Sequence, residues 1–447
     1  MHARASKKRR AILGIASLLW VLAAHAQVLP RVPLPGVQLP ALPVEPVLRD
    51  ATATLRDLPT RAVRSRQLLE QHRAELDRDP RGEVVVRAEV VAIDITPAAL
   101  AKVRAAGFDV KRTQDLPDLG ITVTVLQTPP GTSARRGLAK LRKLDPDTSY
   151  DYNHVYLDSG GVTGAAALAG TANAALSGAD PEASGGGSLR VGLIDGGVDA
   201  AHESLRGIPL HRFGCDGRSV PGPHGTAVAS LLAGAAVSFH GAAPRATLFV
   251  ADVYCGSPTG GAVDAVAAAF GWMAREKVAV VNVSLVGPRN ALLERVVKSL
   301  VDRGHLIVAA VGNDGPAAPP LFPAAYAGVV GVTAVDARHK ALIEACRGEH
   351  LDLAAPGADI AAASSGTVDG YGAVRGTSFA APIVTGLLAA HLPTPDPAGA
   401  ARVLADLTAQ AIDLGAKGRD DTYGAGLVGD SAIQAALPGR PDDKPNK

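Results

Sequence analysis

No surplus of either charge marks this chain for nucleic acid or an anionic membrane surface, since 45 basic residues face 43 acidic ones. The small excess is itself local. Arg4, Lys7, Lys8, Arg9 and Arg10 stand within the first 26 residues, which hold no acid, so the remainder is slightly acidic. Cysteine is as scarce. Cys215, Cys255 and Cys346 allow at most one internal disulfide, which excludes a framework of them. Cys215 and Cys255 sit in Gly-rich, turn-like surroundings and are the preferred pair; three unpaired, buried thiols are the other reading. Long apolar runs are also missing beyond residue 24, so no later segment is suited to cross a bilayer.

The one apolar run present, AILGIASLLWVLAA, follows the basic cluster and precedes Ala24-His25-Ala26, and these are the three parts of a secretory signal. At 14 residues it is short for a membrane span of roughly 20. Export with cleavage after Ala26 is therefore expected, to the periplasm or beyond, with no membrane association afterwards. Residues 27–82 are a leader, first rich in Pro, Val and Leu and extended in character, then helical in pattern from about Asp50 to Leu76. Residues 83–156 read as a small α+β domain. EVVVRAEVVAID, ITVTVLQT and TSYDYNHVY have strand character, PAALAKVRAAG and SARRGLAKLRKL helical character, and together they suggest a β-α-β-β-α-β unit of ferredoxin-like type. Residues 157–188 are Gly, Ala and Ser in the main and read as a flexible, cleavable linker. From 189 to 437, Val/Ile/Leu runs alternate with helical ones, the pattern of an α/β fold with a doubly wound, mostly parallel sheet. Residues 438–447 form a polar tail.

In such a sheet, functional residues collect at the carboxyl ends of strands. Asp195 ends LRVGLID, where a carboxylate can hold an imidazole in one tautomer. His224, in PHGTAVASLLAG, stands at the start of a small-residue helix beside Gly225, in the setting of a general base. His202, His211 and His240 lack that setting and read as surface or structural; Asp199 and Asp216 read as turn residues. Ser378, in RGTSFAAPIVTGLLAAHL, has small neighbours and a helix whose first N–H groups would face an anion forming beside it. Pro382 is expected in the first turn of that helix, where a missing donor costs nothing. Asn313, ending LIVAAVGND, could donate to an oxyanion alongside the Ser378 N–H.

With these four residues in the order Asp, His, Asn, Ser, the sequence resembles the subtilisin-like serine peptidases. VGLIDGGVDAAH, HGTAVASLLAG, AAVGNDG and GTSFAAPIVTG are similar to the family's four motifs. Gly196 stands where many members have Thr or Ser, and Ala227 where many have His. The resemblance implies a triad of Asp195, His224 and Ser378, an oxyanion hole of Asn313 and Ser378, and protein or peptide substrates. It places the substrate-binding strand on Ser284, Leu285, Val286 and Gly287, and a pocket wall on Ala310 and Gly312. Those wall residues are small, so the first pocket is expected to take sizeable uncharged side chains. No metal or organic cofactor is required by this chemistry, and no clear acidic loop supports a calcium site. Residues 83–156 resemble, in position and shape, the family's propeptides, which implies a transient inhibitor removed by self-cleavage in the 157–188 linker.

Two rival readings differ in class. A silent peptide-binding protein on the same fold would not need all four chemical residues. An α/β-hydrolase esterase would need a Gly-x-Ser-x-Gly elbow and the order Ser, acid, His, neither of which is present.

Overall fold

The computed structural model describes residues 60–162, 189–237, 239–257, 259–367 and 370–430. The signal, the Pro-rich stretch, most of the linker and the tail lie outside them. Helix α1 (Arg61–Gln71) ends before Leu76, where the helical pattern was expected to end, residues 50–59 of that pattern lying outside the described residues, and Leu76–Arg78 forms an edge strand, β1. There follow β2 (Val84–Ile93), α2 (Pro97–Ala105), β3 (Asp109–Leu116), β4 (Ile121–Gln127), α3 (Ala134–Leu144) and β5 (Ser149–His154). Their sheet runs β3-β4-β2-β5 with antiparallel pairs, the ferredoxin-like order. One face packs on its own helices through Val90, Val103, Phe108, Leu126, Leu138 and Leu141. The other face carries Val91, Ile93, Val123 and Val125 into the core of the larger fold.

Two short strands come next, β6 (Leu157–Asp158) and β7 (Gly161–Val162). The larger fold then contributes β8 (Arg190–Asp195), β9 (Leu210–Phe213), α4 (Pro223–Ala233), a small hairpin of β10 (Ala235–Ala236) and β11 (Phe239–His240), β12 (Thr247–Asp252) and α5 (Val263–Arg275). After these lie β13 (Val280–Val283), β14 (Leu285–Val286), α6 (Ala291–Asp302), β15 (Leu306–Ala310), β16 (Val329–Val335), β17 (Leu353–Pro356), β18 (Ala358–Ala363), β19 (Tyr371–Arg375), α7 (Thr377–Ala389) and α8 (Pro397–Ala409).

Seven of these strands make one parallel sheet in the order β17-β16-β15-β13-β8-β12-β9. Its central strands are buried along their length, as a sheet covered on both faces requires. Helices α5 and α6 cover part of one face with Val266, Phe270, Met273, Leu293, Val296 and Leu300, and the small sheet packs on these helices in turn. Polar contacts fix that docking. Asp151 accepts from the Ala291 N–H at the start of α6, and Arg112 pairs with Asp264 in the first turn of α5 at 2.6 Å. No helix among the described residues is long and apolar enough to cross a membrane.

Cys215 and Cys255 are joined in a disulfide that closes a loop of 40 residues, while Cys346 is free and buried. Replacing both bridged cysteines by Ser should lower stability by about 2–4 kcal/mol. Urea denaturation read by fluorescence checks this; an unchanged midpoint would show that the bridge does not hold the fold together.

Candidate active site

Asp195 ends β8 with 1% of its surface exposed, and His224 is the second residue of α4. What brings the two together is the absence of a side chain at Gly225. A Cβ there would lie 2.4 Å from the Gly196 carbonyl oxygen and 2.8 Å from that of Gly197. Thr226 completes the join, accepting from the Asp199 N–H at 3.0 Å and donating to the Gly222 carbonyl at 2.7 Å. The His-Gly-Thr run is thus a contact surface for the loop after Asp195. As a result His224 Nδ1 lies 3.0 Å from both Asp195 carboxylate oxygens.

Ser378 is the second residue of α7, a helix with every residue buried. Thr377 ties the helix start to the Asn313 loop in two ways. Its N–H donates to Asn313 Oδ1 at 3.1 Å, and its hydroxyl oxygen accepts from the Gly312 N–H at 3.1 Å. Because Oδ1 is engaged, the amide must present Nδ2 to the cleft. Gly376 has φ 137°, and a Cβ on it would stand 3.0 Å from that Nδ2.

Pro382 is the sixth residue of α7, not part of its first turn as the sequence suggested. It leaves the Ser378 carbonyl without a helical donor, and the Ser284 hydroxyl takes that place at 3.1 Å. Asn282 holds Ser284 Oγ at 2.8 Å, and Thr385 of α7 donates to Asn282 at 3.1 Å. All three side chains are fully buried. The Ser284 carbonyl accepts the Ser378 hydroxyl at 3.3 Å. Sequence reasoning had assigned Ser284 to the cleft through its backbone alone, and missed Asn282 and Thr385 because an Asn or Thr inside an apolar run carries no motif.

The cleft is filled by the chain's own residues 155–162. Val155 bridges Ala262, and the Tyr156 N–H donates to the Gly261 carbonyl at 2.8 Å. On the opposite side β6 pairs antiparallel with β14, Leu157 facing Val286 and Asp158 facing Leu285. Beyond the site β7 pairs antiparallel with β19. Residues 157–158 and 161–162 are therefore strand, with Ser159 and Gly160 between them, which corrects the reading of a flexible linker from 157 onward. Backbone pairing to two edges outweighs a Gly- and Ser-rich composition there. Ser159 lies at the centre: its carbonyl oxygen is 3.2 Å from His224 Nε2, and its hydroxyl accepts from Asn313 Nδ2 at 2.6 Å. Gly160 follows against the Phe379 ring.

The helix α1, whose partner sequence alone could not name, clasps this segment. Arg64 donates to the Asp158 carboxylate at 2.5 Å and to its carbonyl at 2.6 Å. Arg61 bridges Glu83 and Asp314, the residue after Asn313. Of the other expected residues, Gly287 pairs through its backbone with Phe322 and lies against the Tyr156 ring, Ala310 pairs with Val332, and Gly312 is hemmed in by Leu321 and Cys346. His202 bonds Ser204 and Gly370, and Asp199 caps a turn, both structural as read. Among the described residues, the one trio of side chains near enough to share an ion is Cys215, Asp252 and Cys255, and its sulfurs are bonded to each other.

Burial disfavours the charged imidazole of His224, but Asp195, with smaller contributions from Asp158 and the Ser159 carbonyl, outweighs it and raises the pKa to about 9. The geometry agrees. Nδ1 faces a carboxylate and Nε2 a carbonyl, both acceptors, so both nitrogens must carry hydrogen. With its cleft filled, the site holds its base protonated and its serine turned to Ser284.

Comparison with known proteins agrees with this architecture. A sequence model of the Subtilase family matches residues 186–426. Subtilisin BL of Lederbergia lenta is 32% identical over 252 residues, covering 54% of this chain and 89% of its own length. An alkaline protease of Alkalihalobacillus alcalophilus is also 32% identical over 252 residues, and here the chain spans 63% of the relative. Among solved structures, fervidolysin from Fervidobacterium pennivorans, a keratinolytic enzyme related to subtilisin, superposes with a TM-score of 0.65 at 22% identity. That likeness covers 80% of this chain and 62% of the other and concerns the fold.

A raised histidine pKa makes stability depend on pH with a definite sign. His224 contributes stability that is fully present below its ordinary value of 6.5 and lost as the pH rises through about 9. The uncut Ser378→Ala protein should therefore lose stability between pH 6.5 and 9, and adding His224→Ala should flatten that slope. Denaturation midpoints across this range test it; equal slopes in the two proteins would refute the assignment.

Proposed function

We propose, from the premise that this chain belongs to the subtilase family of serine peptidases, that it is an exported endopeptidase made as a self-processing precursor. Asp195, His224 and Ser378 are its triad, Asn313 Nδ2 and the Ser378 N–H its oxyanion hole, and the Ser159–Gly160 bond the one it cuts in itself. The observation that carries this reading is the placement of residues 155–162. They lie in the cleft as an extended peptide with Ser159 against His224 and Asn313.

For the cut, the Ser159 peptide group turns so that its carbonyl oxygen takes the place now held by its hydroxyl, 2.6 Å from Asn313 Nδ2. His224 Nε2 then loses its acceptor, releases its proton and faces Ser378. Ser378 Oγ attacks the Ser159 carbonyl carbon while His224 takes the hydroxyl proton, and the negative charge settles on the oxygen held by Asn313 and the Ser378 N–H. Collapse expels the Gly160 amine, which receives the proton from His224. Water, deprotonated by the same imidazole, then frees Ser159 as a carboxylate. Asp195 holds Nδ1–H throughout. Residues 60–159 are left as a bound inhibitor, and protein substrates take the same two-edged cleft after it departs.

Intact mass and N-terminal sequencing test the reading directly. The wild type should yield a chain beginning at Gly160, and Ser378→Ala should keep the bond intact; a cut at the same place in both would rule out self-processing. Asn313→Ala should fold and slow turnover of an added peptide about 10²- to 10³-fold, chiefly in kcat. A loss confined to KM would mean that Asn313 binds substrate without holding the oxyanion.

A further inference from the structure

Three residues before Ser159, Tyr156 is completely buried. Its N–H bonds to Gly261, so it belongs to the extended strand in the cleft, and its side chain points into the larger fold. Two features define the hole it fills. The side of the ring lies against Gly287, where a Cβ would stand 2.5 Å from Tyr156 Cδ1. Gly287 has no positive φ, so the backbone does not demand glycine there; the ring does. The far end of the hole is polar. The Tyr156 hydroxyl donates to the Pro288 carbonyl at 2.6 Å, beside Tyr326.

These partners are held rigidly. Tyr326 Oη lies 2.9 Å from both the N–H and the carbonyl oxygen of Asn290. Asn290 caps α6, its side-chain oxygen accepting from the Leu292 and Leu293 N–H groups. An aliphatic side chain would leave the polar end of the hole open, and phenylalanine would bury the Pro288 carbonyl without a donor.

Resting on the peptidase reading above and deepening it, we infer that this pocket selects tyrosine, hydroxyl included, in the fourth residue on the amino side of the bond that the enzyme cuts. Gly287 makes room for the ring, and the Pro288 carbonyl reads the hydroxyl. The preferred substrates are then proteins with an exposed, extended Tyr followed three residues later by the cut position, in the manner of the enzyme's own Tyr156-Leu157-Asp158-Ser159. A site built to pair a hydroxyl rejects the analogue that lacks it far more strongly than an apolar pocket rejects a shorter chain.

The test uses the processed enzyme and three peptides carrying the sequence around residues 153–162 with Tyr, Phe or Val at the position of Tyr156. The wild type should favour Tyr over Phe by about 10- to 100-fold in kcat/KM, by the cost of one buried, unpaired acceptor. Gly287→Ala should lose the Tyr and Phe peptides and still cut the Val peptide. Equal rates on Tyr and Phe in the wild type would overturn the hydroxyl reading and leave the peptidase reading standing. Failure to cut any of the three, or unfolded casein, would overturn both.

Discussion

Helix α7 has no side turned to water, and the candidate site depends on that constraint. A helix buried all round must be apolar or small on every face, which is why the run from Thr377 to Ala389 holds only one Phe among larger rings and two internal residues, Pro382 and Gly386, that an exposed helix would avoid. Each irregularity is used. At Gly386 a Cβ would stand 2.4 Å from Ala242 Cβ, so glycine lets the next segment lie on the helix. The donor missing at Pro382 frees the Ser378 carbonyl for Ser284, which links helix, cleft strand and nucleophile in one hydrogen-bonded unit with Asn282 and Thr385. Thr377 extends the unit to Asn313. The donors proposed for the oxyanion are thus set by packing before any substrate arrives, as electrostatic stabilisation of a transition state requires.

The same rigidity explains how the filled cleft can rest without reacting. Nothing in the site must be displaced to hold residues 157–159; the hydroxyl of Ser159 satisfies Asn313 and its carbonyl satisfies a protonated His224. Arg64 holds Asp158 of the segment, and Arg61 ties α1 to Asp314 beside Asn313. Asp158 also helps to keep the imidazole charged, so the segment that blocks the cleft also disarms the base. When the segment leaves, that contribution and the Ser159 carbonyl leave with it, while the Asp195 carboxylate stays on Nδ1.

The sequence made the peptidase half legible because its chemistry comes in contiguous runs. His-Gly-Thr and Gly-Thr-Ser each put a reactive side chain beside a glycine that permits a backbone approach and a threonine that makes a hydrogen bond, so three adjacent letters carry one local geometry. The alternation of helix and strand carried three of the four main strands of the small sheet, but not β3, whose polar run DVKRTQDL shows little apolar character. What stayed hidden depends on partners far apart in the chain. Arg61 meets Asp314 across 253 positions, Thr385 meets Asn282 across 103, and Tyr156 fills a pocket whose floor is a proline carbonyl. No local pattern encodes such pairs. Residues 157–162 misled for a different reason: glycine and serine signal flexibility only when no edge strand is waiting to pair with them.

The shared core bears on what happens after the proposed cut. Val91, Ile93, Val123 and Val125 of the small sheet lie in one apolar cluster with Phe270, Met273, Leu293 and Val296 of the helices beneath. Breaking the Ser159–Gly160 bond removes none of these contacts, nor the ion pairs of Arg112, nor the seat of Tyr156. The new carboxylate at Ser159 would stay beside Asn313 and His224, two donors that can hold it. Cleavage and release are thus separate events. The first is governed by the geometry at one peptide bond and the second by an interface that stays intact until its apolar face is exposed. On the reading proposed above, the fragment would stay bound as an inhibitor after it has ceased to be part of the chain, and activity would appear only as the fragment is itself unfolded or cut.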